Sequence, residues 1–351
     1  MEEKISIIIP CYNVQRYIDR CLASLVNQTI GLDKLEIICV NDASTDGTWE
    51  KLLSWERKYP QNILLVNCKQ NGKLGRARNI GLEHAEGTYI AFLDADDWME
   101  PDSYERLYQL IRQYRCEVVA FQFIRDNGKE DVWKRQKRRD REDFYLDLSD
   151  DEERKKVLVT AILDNGCTDK MYTREFIARN QLRFPEGCAY EDIYWGVLVQ
   201  LCAKSVYFFN EKLYHYYINP DSIVLKKDQA YHMDIFYTAM MMWEECKRRG
   251  ALERFAKEME LNFLIYYYLG GMKVLALRYT DLKYQEFRQM CETVRQTVPE
   301  YEANPYLTQV LDDMQQLQVA LIDQGISREQ FAQAVKLLGG EAGEKTVRRK
   351  E

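Results

Sequence analysis

Apolar residues follow two different spacings along the first hundred residues of the chain. Four short, uninterrupted apolar runs predict strands that are buried on both faces, over residues 5–9, 35–40, 63–66 and 89–93. Between them, apolar residues recur at helical spacing over residues 17–28 and 76–84, and a turn signal at residues 44–47 begins a helix that ends near residue 58. This alternation predicts a mostly parallel, doubly wound α/β sheet, in which ligands bind beyond the carboxyl ends of the strands.

The pattern changes near Pro220. Before it, we predict a helix over residues 103–114, a strand over 118–124, a helix over 191–201 and two strands over 206–209 and 213–217. After it, only helical spacing recurs. We therefore predict an α/β domain over residues 1–220, a helical C-terminal domain over 221–338 and a flexible, Gly-, Glu-, Lys- and Arg-rich tail over 339–351.

Composition excludes some classes of protein. The formal net charge of −7 over 351 residues argues against a general nucleic-acid-binding protein, which is usually basic. The ten cysteines include no C-x-x-C pair, so we expect buried free thiols and a reducing compartment rather than a zinc site. The first residues lack the basic and apolar regions of a secretory signal. We expect a cytoplasmic protein that does not bind nucleic acid.

Three carboxylates follow the fourth predicted strand within four positions: Asp94, Asp96 and Asp97. Such clustering is unfavourable unless a positive charge neutralises it, and Mg²⁺ or Mn²⁺ prefers oxygen ligands of this kind. The alternative is that one aspartate caps the helix that follows Pro101. A cap needs one aspartate rather than three, but the residues alone leave both interpretations open.

Polar residues also follow other predicted elements. Asp42, at the end of the second strand, can accept a hydrogen bond from a base or a ribose, or it forms a turn. A glycine-containing loop at residues 71–79 opens a helix and can approach a diphosphate, although it is neither a P-loop nor a dinucleotide fingerprint. Glu191 and Asp192 begin a helix, where they provide favourable N-terminal charge or a general base.

Taken together, these segments resemble the family 2 glycosyltransferases, which are inverting enzymes with a GT-A fold. The matching stretches are residues 6–13 (SIIIPCYN), 40–48 (VNDASTDGT), 77–82 (ARNIGL), 85–97 (AEGTYIAFLDADD) and 190–192 (YED). Each motif is modest, but their order and spacing from residue 5 to about residue 225 are highly specific. The chain departs from the family pattern at Lys73 and Arg76, where the family often has small residues.

The resemblance implies a nucleotide site at the carboxyl ends of the first strands. Asp42 would recognise the base, most often uracil, and Arg78 would brace the base pocket. The residues implied to contact the nucleotide are Pro10, Tyr12, Asn13, Asp42, Arg78 and Asp94.

The resemblance also implies the reacting groups. Asp96 would bind a divalent cation, Mn²⁺ or Mg²⁺, that bridges the diphosphate, Asp192 would be the general base, and Glu191 would support it. A loop closing over the diphosphate would contain or adjoin His215, Asn219 and Ser222.

The implied activity is transfer of a sugar from a nucleotide diphosphate sugar, a UDP-sugar, to a hydroxyl of a glycan or lipid-linked acceptor in cell-surface or extracellular glycan assembly. One alternative is a catalytically silent sugar-nucleotide or glycan-binding module, against which Asp96 and Glu191–Asp192 argue. Another is a sugar nucleotidyltransferase, which would have a Gly-rich, lysine-bearing loop where this chain has residues 11–14 (CYNV).

Two segments are candidates for contact with an acceptor, a membrane or a second copy of the chain. Residues 125–143, dense in both signs of charge, predict a solvated loop, with an acceptor-binding lid as the alternative. Residues 261–277, the longest apolar stretch, predict a buried helix, with a helix on a membrane surface as the alternative. The helical region could thus form a homo-oligomer interface or a peripheral contact with the inner face of the membrane.

Overall fold

The computed structural model describes residues 3–126, 142–160, 162–219, 222 and 225–348. The chain divides into two compact units. The first comprises Met1–Arg154, Leu163–Gly187 and Trp195–Pro220, and the second comprises Lys155–Ile162, Cys188–Tyr194 and Asp221–Glu351. One boundary between the units lies at residue 220, and two short segments from before that point belong to the second unit.

Over its described residues, the first unit contains one mixed sheet of nine strands. The order is β3-β2-β1-β4-β8-β6-β9-β5, with β7 paired to β9. Strands β1 to β4 are parallel, β8 runs antiparallel to β4 and β6, and β6 is parallel to β9. The strands are β1 Ile5–Cys11, β2 Leu35–Asn41, β3 Ile63–Asn67, β4 Tyr89–Phe92, β5 Trp98–Met99, β6 Val118–Asp126, β7 Phe144–Asp147, β8 Lys170–Thr173 and β9 Ser205–Tyr217.

Helices lie between these strands, and they make up most of the described residues after β9. Helices α1 to α7 are Ile18–Val26, Thr48–Lys58, Lys73–His84, Ser103–Tyr114, Asp151–Val159, Arg174–Arg179 and Glu191–Cys202. Helices α8 to α15 are Asp234–Arg248, Ala251–Arg254, Ala256–Phe263, Gly270–Leu277, Tyr284–Thr297, Tyr306–Val310, Asp313–Ala320 and Arg328–Arg348, and a π-helical segment, Leu264–Leu269, joins α10 to α11.

The four strands predicted in the first hundred residues are confirmed, and the main core of the first unit packs around them. The prediction of two strands near the end of this unit was wrong, because β9 runs unbroken through the polar residues between them. Asn210 is buried there, its Oδ1 accepts from Gln122 at 2.6 Å, and its N–H donates to Asp143 at 3.0 Å. These hydrogen bonds satisfy the buried polar groups of Asn210, although in the sequence the polar residues interrupt the apolar pattern of a strand.

Strand β8 has no counterpart among the predicted elements. It begins at Lys170, whose ammonium group is buried and lies 2.6 Å from the carboxylate of Asp169 and 2.7 Å from the carbonyl of Gly166. A buried lysine at the start of a central strand hides the usual apolar pattern. Strands β5 and β7 are two and four residues long, too short to give a periodic signal.

Helix α3 packs closely against β1, and this contact requires a glycine. A Cβ atom at Gly81 would lie 2.3 Å from Cγ2 of Ile8, inside any acceptable contact distance. Gly81→Val is therefore expected to lower the free energy of unfolding by about 3 kcal/mol, as overpacking of a dense core does. The control is Gly339→Val on α15, where a Cβ meets nothing within 4 Å. Urea denaturation measures both; equal midpoints would contradict this packing.

In the second unit, the long apolar stretch is buried, as one of its two interpretations predicts. Leu261, Phe263, Leu264, Tyr268 and Met272 are all inaccessible to solvent. The polar interruption at Asn262 is also buried, and its amide donates to the carbonyls of Leu158 and Glu258, each at 2.8 Å. Across the described ranges, no helix combines the length and apolar character needed to cross a membrane.

Other predictions concern particular segments. All ten cysteines are present as thiols, and all except Cys68 and Cys202 are buried. Helix α15 continues to Arg348, past the predicted start of the tail at residue 339, because Glu341, Ala342 and Glu344 are compatible with a helix. The charged segment predicted as a loop begins inside β6, and its residues 127–141 lie outside the described residues.

Candidate functional site

The loops after β1 and β2 are joined by hydrogen bonds. The backbone N–H of Asn13 donates to Ser44 Oγ at 3.1 Å, and Asn13 Oδ1 accepts from Thr45 N–H at 2.8 Å. Asn13 has a φ of 53°, a left-handed conformation that asparagine tolerates better than most residues. Pro10 is buried in β1, whereas Tyr12 is 48% exposed at the edge of the sheet. The two loops thus form one edge with an exposed aromatic ring.

Asp42, which follows β2, holds the beginning of α3. Its two carboxylate oxygens accept from the N–H of Gly72 at 2.9 and 3.0 Å, and its carbonyl accepts from the amide of Asn71 at 3.2 Å. The side chain is buried, and burial raises the pKa of its carboxyl while the Gly72 N–H opposes the rise. An ionised carboxylate has about four acceptor positions, so Asp42 keeps capacity for a donor on a ligand.

The same helix brings a buried arginine to the end of β4. Nη2 of Arg78 donates to Asp94 Oδ1 at 2.9 Å, and the guanidinium lies 5.3 Å from the ring centre of Phe184. The Arg78 side chain is 4% exposed and the Asp94 side chain 31% exposed. The two residues predicted to contact a nucleotide therefore form an ion pair whose carboxylate is partly open to solvent.

Asp97 anchors the turn after β4 to β9. It is buried, its Oδ1 accepts from the backbone N–H of Tyr217 at 2.6 Å, and its Oδ2 accepts from the hydroxyl of Tyr214. Burial, followed by the charges of Asp94 and Asp96, raises the pKa of Asp97 well above its ordinary value. Asp97 therefore has a positioning role in the turn.

Asp96 is half-buried and lies beside the end of β9. Its Oδ2 accepts from the side-chain amide of Asn219 at 3.0 Å, and Asn219 Oδ1 accepts from the hydroxyl of Tyr17 at 3.2 Å. Burial raises the pKa of Asp96, and the charge of Asp94 raises it further. The structure thus brings Asp96 and Asn219 together near Asp94, whose charge acts on Asp96.

Arg20 of α1 is a residue of this site that the sequence did not indicate. Its Nη2 donates to the backbone carbonyl of Asp96 at 2.8 Å. Its guanidinium lies 3.7 Å from the ring centre of Trp98 and 4.6 Å from that of Tyr217. Its Nε is buried without a hydrogen-bond partner. Arg20 was hidden because it sits in an ordinary amphipathic helix, and only its aromatic neighbours, distant in sequence, give it a place in the site.

His215 is buried inside the first unit. It is 4% exposed, its Nδ1 lies 2.9 Å from Asp126 Oδ2, and its Nε2 lies 2.8 Å from Glu100 Oε1. Its ring stacks on Trp98 with centres 4.7 Å apart. Both ring nitrogens are engaged by carboxylates, so we correct the expectation that His215 reaches a ligand: it holds Trp98 in place from inside the protein.

Glu191 and Asp192 begin α7 and belong to the second unit, as does Ser222. Glu191 is 6% exposed, whereas Asp192 is half-buried and its Oδ1 accepts from the N–H of Ile193 at 3.0 Å. The preceding Tyr190 has a φ of 63°. Of the two carboxylates, Asp192 is the more accessible. Ser222 is half-buried, and the residues on both sides of it lie outside the described residues.

This segment is fixed to the second unit just before the helix begins. The N–H of Ala189 donates to Asp234 at 2.9 Å, and the carbonyl of Ala189 accepts from Thr238 at 2.8 Å. The hydroxyl of Tyr190 lies 3.0 Å from a ring nitrogen of His232. Helix α8 and the turn before it therefore determine where the first carboxylates of α7 are held.

The profile of glycosyl transferase family 2 matches residues 6–179 of the sequence. The putative glycosyltransferase EpsH of Bacillus subtilis (strain 168) is 30% identical over 275 residues, which cover 75% of this chain and 74% of EpsH. The chain belongs to glycosyl transferase family 2. This confirms the family expected from the motifs after β1, β2 and β4.

Other comparisons define how far the likeness extends. This family 2 chain is 32% identical over 235 residues to glycosyltransferase GlyA of Streptococcus pneumoniae serotype 4, and it spans only 32% of the length of that relative. The crystal structure of S. aureus TarS 1-349 in complex with UDP aligns with a TM-score of 0.67, covering 97% of this chain and 92% of TarS 1-349 at 19% identity. The structural likeness confirms the expected GT-A fold with its helical C-terminal region.

Proposed function

We propose that the chain is an inverting glycosyltransferase that transfers a sugar from a UDP-sugar to a hydroxyl of an acceptor glycan. The observation that carries this proposal is the convergence of Asp42, the Arg78–Asp94 pair and Asp96 at the carboxyl ends of β2 and β4. Family membership supplies the reaction class, and the complex of TarS 1-349 with UDP supports uridine as the nucleotide.

The proposed donor site uses the first unit. Tyr12 offers its exposed ring to the base, and Asp42 offers its remaining acceptor positions to an N–H of that base. Arg78 holds Asp94 so that the open side of its carboxylate meets the ribose or the diphosphate. Lys73 and Arg76, at the beginning of α3, supply positive charge on the same side of the sheet.

A divalent cation fits Asp96. Its carboxylate lies beside Asp94, and burial followed by the charge of Asp94 raises its pKa, whereas the nearby carboxylate of Asp97 is held by two hydrogen bonds from β9. Among the described residues, no group of three or more His, Cys, Asp or Glu side chains is arranged to hold a metal ion. Asp96 would hold Mn²⁺ or Mg²⁺ through its carboxylate oxygens, with the donor phosphates supplying further oxygen ligands. When bound, such an ion stabilises negative charge that develops on the leaving diphosphate.

The proposed reaction is a single displacement. Asp192 accepts the proton of the acceptor hydroxyl as its oxygen attacks the anomeric carbon, and the bond to the nucleotide diphosphate breaks on the opposite face. An α-linked donor thus gives a β-linked product. Buried Glu191 keeps the first turn of α7 in place beside Asp192. No covalent sugar–protein intermediate is required.

The acceptor is proposed to be a glycan or lipid-linked glycan of cell-surface or extracellular assembly, with the reaction on the cytoplasmic side of the membrane. The motifs that match the family support the reaction class, and the reported relatives carry the name glycosyltransferase. We also propose that the second unit makes peripheral contact with the membrane and forms a homo-oligomer.

A donor panel tests the function. We expect UDP release from at least one of UDP-glucose, UDP-galactose, UDP-N-acetylglucosamine and UDP-N-acetylgalactosamine with Mn²⁺, and its loss with a chelator. Transfer would give a product of inverted anomeric configuration by NMR. Pyrophosphate release from UTP and a sugar 1-phosphate would instead support a nucleotidyltransferase. UDP binding without turnover of any donor or acceptor would support the silent module and contradict the proposal.

Arg20 is expected to affect the metal-dependent part of donor binding. Because Arg20 donates to the backbone carbonyl of Asp96, Arg20→Met should weaken Mn²⁺-dependent UDP binding by about 10- to 100-fold, the usual effect of losing a residue that supports a metal ligand. The control is Arg106→Met, which removes a comparable cation–π contact, 4.6 Å from the ring centre of Phe209. Calorimetry with both variants measures the difference; equal losses would contradict a specific role for Arg20.

A further inference from the structure

The carboxyl-terminal ends of β6 and β9 have two different faces. Side chains alternate along a strand, so neighbouring residues point to opposite sides of the sheet. On one side, Asp126 contacts His215, and Tyr217 packs on Trp98 and Arg20. The opposite side of the two strand ends, including the residue after β9, carries Phe123, Arg125, Tyr216 and Ile218.

Three of these side chains form an apolar surface that is open to solvent. Phe123 is 36% exposed, Tyr216 43% and Ile218 47%. The rings of Phe123 and Tyr216 lie with centres 6.0 Å apart and planes inclined by 56°. We call Phe123, Tyr216 and Ile218 the aromatic platform. Neighbouring exposed aromatic rings beside a polar site are one kind of surface at which ligands bind.

The aromatic platform adjoins the turn that carries the donor-site carboxylates. Tyr214 lies two residues before Tyr216, on the same side of β9, and contacts this turn directly: its hydroxyl donates to Asp97 Oδ2 and accepts from the N–H of Asp94 at 3.3 Å. Burial raises the pKa of Tyr216, and the charges of Asp97, Asp94 and Asp96 raise it further. Because Tyr214 and Tyr216 point to the same side of β9, the platform lies on the side of the sheet that contacts the turn of the proposed donor site.

We propose that the aromatic platform binds the acceptor glycan beside the donor site. The inference rests on the proposed function, because a transferase must hold its acceptor next to the donor. Aromatic rings suit this ligand, since the C–H faces of sugar rings are apolar while their hydroxyls remain in water. The platform lies at the ends of two strands, and it lacks the amphipathic helix with which peripheral proteins rest on a membrane. This makes Phe123 and Tyr216 specificity-determining residues for the acceptor.

The test compares three variants with the wild type: Phe123→Ala combined with Tyr216→Ala, Tyr216→Phe, and Tyr145→Ala. Tyr145 is the matched control, because it is a 46% exposed tyrosine on β7 of the same unit. The probes are the methyl β-glycosides of glucose, galactose and N-acetylglucosamine. Saturation-transfer NMR measures their binding in the presence of UDP and Mn²⁺, and calorimetry measures UDP binding separately.

We expect at least one glycoside to bind the wild type, and the double variant to bind it about tenfold more weakly, as loss of two aromatic contacts predicts. UDP affinity should be unchanged, and Tyr216→Phe and Tyr145→Ala should behave as the wild type. Equal glycoside binding by the double variant would overturn the proposal, and so would a wild type that binds UDP but no glycoside. A parallel loss of UDP affinity in the double variant would make the platform structural, whereas a wild type that does not bind UDP would overturn the proposed function itself.

Discussion

Asp192→Asn is expected to lower kcat for sugar transfer by about 10³-fold, within the range that general-base catalysis contributes. Asparagine keeps the size of the side chain and its acceptor oxygen, so the hydrogen bond from Ile193 N–H can persist. It cannot take the proton of an attacking hydroxyl. UDP affinity should not change, because the proposed nucleotide contacts are all made by other residues.

The competing explanation for Asp192 is that it merely places negative charge at the beginning of a helix. Asp313, an exposed aspartate that is likewise in the first turn of its helix, α14, provides the control. If helix charge were the only role, Asp192→Asn and Asp313→Asn would each cost well under about 1 kcal/mol of stability and leave kcat unchanged. A loss of kcat confined to Asp192→Asn would support the base; unchanged kcat in both variants would remove Asp192 from the mechanism.

Asp96→Ala is expected to lower kcat/KM by about 10²- to 10³-fold, because the leaving diphosphate would lose metal stabilisation worth several kcal/mol. The fold should tolerate the change, since burial and neighbouring negative charge already disfavour the ionised carboxylate there. Electron paramagnetic resonance of Mn²⁺ in the presence of UDP measures the bound ion independently of turnover.

Asp97→Ala should give the opposite result to Asp96→Ala. Asp97 accepts from the N–H of Tyr217 and the hydroxyl of Tyr214, so its loss leaves two donors without a partner. We expect a fall of about 3 kcal/mol in the free energy of unfolding. If Asp96→Ala destabilised the protein as strongly and retained Mn²⁺ binding, the assignment of Asp96 to the metal would be contradicted.

The parallel half of the sheet can be predicted from the sequence, because each of its strands is a continuous apolar run that ends at polar residues. The same logic places Asp42, Asp94 and Asp96 at one edge, since parallel strands end on the same side. The strands of the antiparallel half are harder to predict. Buried Lys170 in β8 and Asn210 in β9 are satisfied by partners that no local pattern reveals.

The predicted site is incomplete for a similar reason. His215 is basic and comes shortly before a loop, which is all that the sequence shows; that Glu100 and Asp126 enclose it depends on chain segments about a hundred residues away. Arg20 gives no signal because its partners Trp98 and Tyr217 meet it only in the folded chain. The distinction between Asp96 and Asp97 likewise follows from which of them β9 engages.

The most direct test of the account is a calorimetric titration of UDP into the protein with and without Mn²⁺. We predict saturable, one-site binding that strengthens with Mn²⁺, and loss of the Mn²⁺-dependent increment in Asp96→Ala. If the wild type binds no UDP under either condition, the donor site proposed at the ends of β1, β2 and β4 is contradicted.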